Sequence, residues 1–278
     1  MLLIGQLSDP HIRLKGQFAY DVVNTAAQLE KAVRFIETRL PNLDALMITG
    51  DLVDAGNEEE YAHFLELVAP LKTLLLPIPG NHDRRETFAA AFADQLAFPA
   101  HGHLSYVRDV GRIRLVMLDS TEPGAPYGRV CPERLSWLES TLSAAPMTPA
   151  VLALHHPPFK TGIAHMDIQN CQDGDALATL LLRHPQVLAV VAGHVHRTVI
   201  SSFAGRPATI APSCAHAVSF ALGPEAPPSF HQEPPGLHVH AWAADPCLPF
   251  GQIVTHAVPI GTFSGPHPFF DEAGNLIQ

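Results

Sequence analysis

Cationic side chains are scarce in this sequence: 17 Lys and Arg stand against 27 Asp and Glu, for a formal net charge of -10. Surfaces that hold nucleic-acid phosphates need clustered Lys and Arg, so this balance argues against a polyanionic partner. A small anionic substrate stays open, because bound cations reverse the local field. Cysteine is scarce too. Cys131, Cys171, Cys214 and Cys247 lie far apart, in none of the paired spacings of zinc ribbons or thioredoxin-like sites, and read as free thiols of a reducing cytoplasm. No apolar run approaches membrane-spanning length, which argues against a membrane protein. Met1-Leu2-Leu3-Ile4-Gly5 lacks a basic leader and a small-residue cleavage site, so it reads as a first strand and not as a signal peptide.

Histidine is what the chain has in excess, with 17 residues, as many as Lys and Arg together. Imidazole is the commonest metal ligand, so the placement of these residues is the first question. With 47% hydrophobic content over 278 residues, the chain has enough apolar material for one large α/β domain or a domain with an appendage.

Strand-like runs alternate with helical patterns over the first two hundred residues, the signature of stacked βα units. Leu3 to Leu7 reads as the first strand. Asn24 or Thr25 caps a helix on which Leu29, Val33, Ile36 and Leu40 recur at helical spacing, and Pro41 stops it. Ala45 to Thr49 follows as a buried strand, then Tyr61, Phe64, Leu65 and Val68 as a helix face, then Thr73 to Ile78 as a strand. Leu104 to Val107 and Ile113 to Leu118 form an antiparallel pair around Gly111, and Pro132 opens a helix. Val151 to Leu154, a helix near Asp175 to Leu182, and Leu188 to Val191 complete the alternation. Beyond His196 the texture turns to β-like stretches at Val199 to Phe203, Thr209 to Ile210, His238 to Trp242 and Ile253 to Val258. Gly223 to Gly236 is Pro-rich and reads as a loop. No internal repeat is visible.

Five short motifs place polar residues directly after hydrophobic strands: Asp9-Pro10-His11, Gly50-Asp51, Gly80-Asn81-His82-Asp83, His155-His156-Pro157-Pro158 and Gly193-His194-Val195-His196. In α/β sheets the C-terminal strand ends face one crevice, so motifs at those ends converge although distant in sequence. The convergence supplies carboxylate and amide oxygens with several imidazoles, a set suited to Mn, Fe, Zn or Co and not to calcium.

These five blocks, in this order over residues 9 to 196, resemble those of the calcineurin-like metallophosphoesterases. The Asn24-Thr25 helix, the His-His-Pro-Pro block, Met166-Asp167 and the late His216 are similar to the branch of bacterial glycerophosphodiesterases and class III cyclic nucleotide phosphodiesterases. The resemblance implies an α/β sandwich of two packed mixed sheets flanked by helices. It implies a catalytic domain over residues 1–216, with residues 217–278 as a C-terminal extension that caps the site or mediates self-association. It implies two divalent or mixed-valence metal ions: Asp9, His11 and His196 would hold the first, Asp51 would bridge, and Asn81, His155 and His194 would hold the second. A metal-bridging hydroxide would attack a small phosphodiester in line, with His82 supplying charge or a proton to the leaving oxygen.

Weaker candidates compete with plainer readings. His156 sits behind the site or contacts substrate, and His216 is a substrate contact or a surface histidine. His101 with His103, and His238 with His240, mimic ligand pairs but lack a carboxylate partner, so both pairs read as structural. Glu58-Glu59-Glu60 is accounted for by a helix first turn. The stretch of Met166, Asp167, Cys171 and Asp173 is a substrate-selecting loop or a simple connection. Phe263, Phe269 and Phe270 in a loop-like tail point to docking onto a partner such as another subunit. The competing functions are a phosphomonoesterase and an inactive scaffold of the same fold.

Overall fold

The computed structural model describes residues 1–99 and 102–277. Two mixed sheets pack face to face with helices outside them. The first sheet has the order β13-β12-β1-β2-β3, with β1 (Leu2–Leu7), β2 (Ala45–Thr49), β3 (Leu75–Ile78), β12 (Gly236–Asp245) and β13 (Leu248–Pro259). The second has the order β4-β5-β6-β7-β9-β8, with β4 (Tyr106–Val110), β5 (Ile113–Leu118), β6 (Ala150–Leu154), β7 (Val187–Ala192), β8 (Val199–Phe203) and β9 (Arg206–Ile210). A short ribbon of β10 (Ala217–Val218) and β11 (Phe230–His231) stands apart.

β2 and β6 are buried at every position, as continuous apolar runs must be when a sheet is covered on both faces. Between the sheets, Ile4, Met47, Leu76 and Ile78 meet Leu115, Met117, Val151 and Val191 in one apolar cluster. Outside the first sheet pack α1 (Thr25–Arg39), α2 (Glu58–Val68) and α3 (Arg85–Ala91); outside the second pack α4 (Pro132–Ser143) and α6 (Gly174–Leu181). The one-turn α5 (Ala164–Asp167) lies in the connection between β6 and α6.

Asn24 starts α1, its side-chain oxygen accepting from the Ala27 N–H at 3.0 Å. Glu60 closes a capping box on Asn57, which gives the acidic run at 58–60 a structural role. The antiparallel pair begins two residues later than its apolar pattern predicts. Leu104 and Ser105 are diverted: the Leu104 N–H donates to Asp119 Oδ2 at 2.9 Å, and the Ser105 hydroxyl takes the Asp119 N–H at 3.0 Å. The 223–236 stretch, expected as loop, contains β11.

The chain beyond residue 216 enters the first sheet. β12 runs antiparallel to β1, pairing Ile4 with His240, and β13 forms the outer edge. The tail after residue 260 leaves Phe263, Phe269 and Phe270 exposed.

Candidate metal centre

β1, β2 and β3 are parallel to one another, as are β6 and β7, so their C-terminal ends meet at one rim of the sandwich. The five motifs sit there. The rim is stitched across the two sheets: Gln6 Nε2 donates to the Ala192 carbonyl at 2.9 Å, and the His194 N–H donates to Asp9 Oδ1 at 3.1 Å. A side chain at Gly193 has no room, since a Cβ would lie 2.1 Å from Ser8 Oγ and 2.6 Å from the Thr49 carbonyl oxygen.

The backbone bends sharply to aim the side chains inward. Asp9, His11, Asp51, His194 and His196 all have left-handed φ, between 46° and 72°. Such conformations are uncommon outside glycine, though Asp and His tolerate them better than most, and their clustering marks a constrained functional site.

Asp9 Oδ1, His11 Nε2, Asp51 Oδ2 and His196 Nε2 form the first cluster. His196 Nε2 lies 3.4 Å from Asp9 Oδ1 and 3.2 Å from His11 Nε2, which is 3.5 Å from Asp51 Oδ2. Nδ1 of His11 faces the Asp54 carboxylate at 3.3 Å, which assigns its proton there and leaves a lone pair at Nε2. In the second cluster His155 donates Nδ1–H to the Thr49 carbonyl at 2.7 Å, so its Nε2 lone pair faces Asn81 Oδ1 at 3.1 Å and Asp51 Oδ2 at 3.4 Å. His194 completes it, with a buried Nε2 that has no hydrogen-bond partner. Asp51 Oδ2 thus stands between both clusters. Its other oxygen accepts the His82 N–H at 2.8 Å.

Acceptors facing acceptors in a buried pocket repel one another unless a cation or a proton lies between them. The titration behaviour shows this tension. Burial opposes charge on His155, but Asp51 and Asp9 overcome it and push the imidazole up to about 9. Burial likewise opposes ionisation of Asp9, yet His196 and His155 hold it down to about 2. Burial and the charge on His155 push His194 down to about 3, leaving it neutral as a ligand must be. The residues present fit a pair of cations sharing Asp51.

His82 is part-buried at the mouth. A backbone carbonyl, and not the neighbouring Asp83, orients it: His82 donates Nδ1–H to the Asp54 carbonyl at 2.7 Å. Asp83 turns away, accepting from the Gly80 and Leu52 N–H groups at 2.8 Å and 3.1 Å and from the Tyr61 hydroxyl at 2.6 Å. Burial works against a charged His82, but Asp51 and the Asp54 carbonyl raise its pKa above the usual imidazole value.

Asp54 was not singled out from sequence, yet it touches His11 with its side chain and His82 with its backbone. The available signal was its position three residues after Asp51 on the same strand-end loop. Likewise unforeseen are Arg85, which pairs with buried Asp119 at 2.7 Å, and Ser120, which holds His156 Nδ1 at 2.9 Å.

His216 is buried beside the first cluster, its ring 4.5 Å from that of His196 and 5.6 Å from that of His11. His156 packs behind His155 and His194, with ring centroids 4.7 Å and 4.8 Å away. His238 and His240 stand apart on β12. His240 donates Nε2–H to Gln6 Oε1 at 3.0 Å and accepts from Thr255 Oγ1 at 2.8 Å, while His238 meets the Thr198 hydroxyl at 3.3 Å; both are neutral core histidines. His103 bonds to the Ser105 hydroxyl at 2.8 Å, and His101 lies outside the described residues.

Two cavities open on the centre and share Asn81 and His82. One, of about 890 Å³, runs past Arg84 and Glu122. The other, of about 570 Å³, is lined by His216, Tyr20, Phe230, Met166 and Gln169. The stretch around Met166 therefore lines a cavity at the site. Asp167 accepts from the Thr161 and Gly162 N–H groups at 2.7 Å and 2.9 Å, and Cys171 is buried with its thiol pushed up to about 12 by burial.

A family model described as calcineurin-like phosphoesterase matches residues 2–198. The probable glycerophosphodiester phosphodiesterase GpdQ of Arcobacter nitrofigilis is 39% identical over 278 residues, covering 100% of both chains. The glycerophosphodiester phosphodiesterase GpdQ of Enterobacter lignolyticus is 28% identical over 260 residues, covering 92% of each. The 3′,5′-cyclic adenosine monophosphate phosphodiesterase CpdA of Pseudomonas aeruginosa is 33% identical over 196 residues, 70% of each chain. Among solved structures, a dimetal phosphatase from Danio rerio superposes with a TM-score of 0.62 at 14% identity, covering 94% of this chain and 96% of its own, a likeness of fold alone.

Proposed function

The chain belongs to the calcineurin-like phosphoesterase family, and from that premise we propose that it is a dinuclear-metal phosphodiesterase acting on small phosphodiesters, glycerophosphodiesters or cyclic nucleotides. The observation that carries this reading is Asp51 Oδ2, placed 3.5 Å from His11 Nε2 and 3.4 Å from His155 Nε2, between two clusters of lone pairs. Asp9, His11 and His196 would hold one ion and Asn81, His155 and His194 the other, with Asp51 shared. The mixed oxygen and imidazole donors suit Mn, Fe, Zn or Co. Bound there, such ions supply an activated water and neutralise charge on the phosphoryl oxygens.

The protein's own groups do the rest. Thr49 and Asp54 fix the rings of His155 and His11 so that each presents Nε2 to the centre. His82, held at Nδ1, keeps Nε2 for the substrate, where its imidazole, favoured in the charged form by Asp51 and Asp54, can hydrogen-bond a phosphoryl oxygen or protonate the leaving alkoxide. The scarcity of Lys and Arg, 17 against 27 Asp and Glu, supports a small substrate over a nucleic acid. Four free thiols suit a reducing cytoplasm. The exposed phenylalanines of the tail support self-association.

Manganese-loaded protein is expected to hydrolyse bis(p-nitrophenyl) phosphate faster than p-nitrophenyl phosphate. Asp51→Ala should lose at least about 10³-fold in turnover, as expected when shared charge stabilisation is removed. Full activity in that variant, or a preference for the monoester, would refute the proposal.

A further inference from the structure

The smaller of the two cavities has a wall that neither metal binding nor proton transfer uses. Tyr20 and Phe230 stack on each other with ring centroids 4.8 Å apart and a tilt of 32°. Each meets His216 edge-on, at 5.4 Å and 78° for Tyr20 and at 5.3 Å and 72° for Phe230. The pair thus lies one ring beyond His216, which itself lies against His196 of the first cluster.

The chain goes to some length to place this wall. Tyr20 and Asp21 have φ of 50° and 58°, left-handed at two consecutive residues with side chains. The turn is closed by an antiparallel bridge between Ala19 and Val23, both buried against Ala215. That anchoring lifts Tyr20 to the tip, where it is 53% exposed although its ring is large and apolar. Backbone strain that lifts an exposed aromatic ring to the lip of a cavity is a feature of ligand clamps. Phe230 comes from the other direction, on the ribbon that follows His216.

We propose that Tyr20, backed by Phe230, is the specificity-determining platform on which a planar aromatic arm of the diester stacks, a nucleobase or an aryl group. The inference rests on the phosphodiesterase reading of the metal centre and names the substrate class within it. The geometry selects a planar partner over an organic cation. Ammonium groups are held by several rings arranged as a box, whereas here Tyr20 and Phe230 lie one against the other at a tilt of 32°. No Lys or Arg lines this cavity among the described residues, and Gln169 and Ser229 offer polar groups to the edge of a base.

The test compares kcat/KM on bis(p-nitrophenyl) phosphate with kcat/KM on glycerophosphoethanolamine, whose arms are aliphatic, in manganese-loaded wild type, Tyr20→Ala, Tyr20→Phe and Phe230→Ala. Tyr20→Ala should lower the aryl-to-aliphatic ratio by roughly 5- to 100-fold, the range of one lost stacking contact, mainly through KM. Tyr20→Phe should restore the ratio, and Phe230→Ala should shift it in the same direction as Tyr20→Ala. Equal losses on both substrates would make Tyr20 a structural residue only and overturn the proposal, as would an unchanged ratio. A readout without turnover separates this inference from the enzymatic one. In saturation-transfer NMR the aryl protons of diphenyl phosphate should receive saturation from the wild type and lose it in Tyr20→Ala. Saturation with no hydrolysis of any diester would leave the platform standing and sink the phosphodiesterase reading; hydrolysis with no saturation would do the reverse.

Discussion

The residues gathered at the rim illustrate what can and cannot be read one residue at a time. Asp9, His11, Asp51, Asn81, His82, His155, His194 and His196 were each visible in the sequence because a polar motif directly after an apolar run is unusual. Asp54 was not, because its role is divided between a carboxylate aimed at His11 and a carbonyl aimed at His82, and a backbone carbonyl carries no residue-type signature. Asp54→Asn should therefore keep the hold on His82 while weakening that on His11. The expected result is a 10- to 100-fold loss in metal affinity at the first position, the range for a lost partner of a ligating histidine, read by metal titration followed calorimetrically. His155 makes a second expectation. Its folded pKa of about 9 lies above the unfolded imidazole value of 6.5, so in metal-free protein its contribution to stability is full below pH 6.5 and is lost as pH rises toward 9. Thermal melts of the metal-free protein should fall over that window, and a bound cation in place of the proton should flatten the dependence.

At the scale of elements, strands were more legible than their surroundings. β2 agrees with its apolar run at both ends, and α1 ends where Pro41 forbids continuation. α3 and the β10–β11 ribbon were missed for a common reason. Each is too short for periodicity to register, and each is held by tertiary contacts: α3 by Phe88 among Tyr61 and Phe92, the ribbon by Phe230 against Tyr20. The junctions between strand and motif depend on glycine for room. Gly193→Ala would put a methyl group against Ser8 Oγ and the Thr49 carbonyl, both backbone-anchored parts of the other sheet. We expect destabilisation by several kcal/mol, about the cost of overpacking a filled core, and loss of metal binding together with it. Gly16→Ala, where nothing lies within 4 Å but φ is +82°, should cost less, by a calorimetric melt.

The whole molecule explains why motifs spread from residue 9 to residue 196 are neighbours. Two mixed sheets, packed face to face, bring the C-terminal ends of five strands to one rim, three from one sheet and two from the other. Alternation of strands and helices foretold the α/β class, but the return of β12 to pair with β1 was not written in any local pattern. It depends on His240 and Gln6 satisfying each other across strands far apart in sequence. That pairing makes residues 236–259 part of the same sheet as Asp9 and His11. The central claim is that this rim holds two cations joined through Asp51, and anomalous scattering from crystals grown with manganese tests it most directly. Two peaks are expected, one among Asp9, His11 and His196 and one among Asn81, His155 and His194, with Asp51 Oδ2 touching both. A single peak remote from Asp51, or none at the rim under saturating metal, would contradict it.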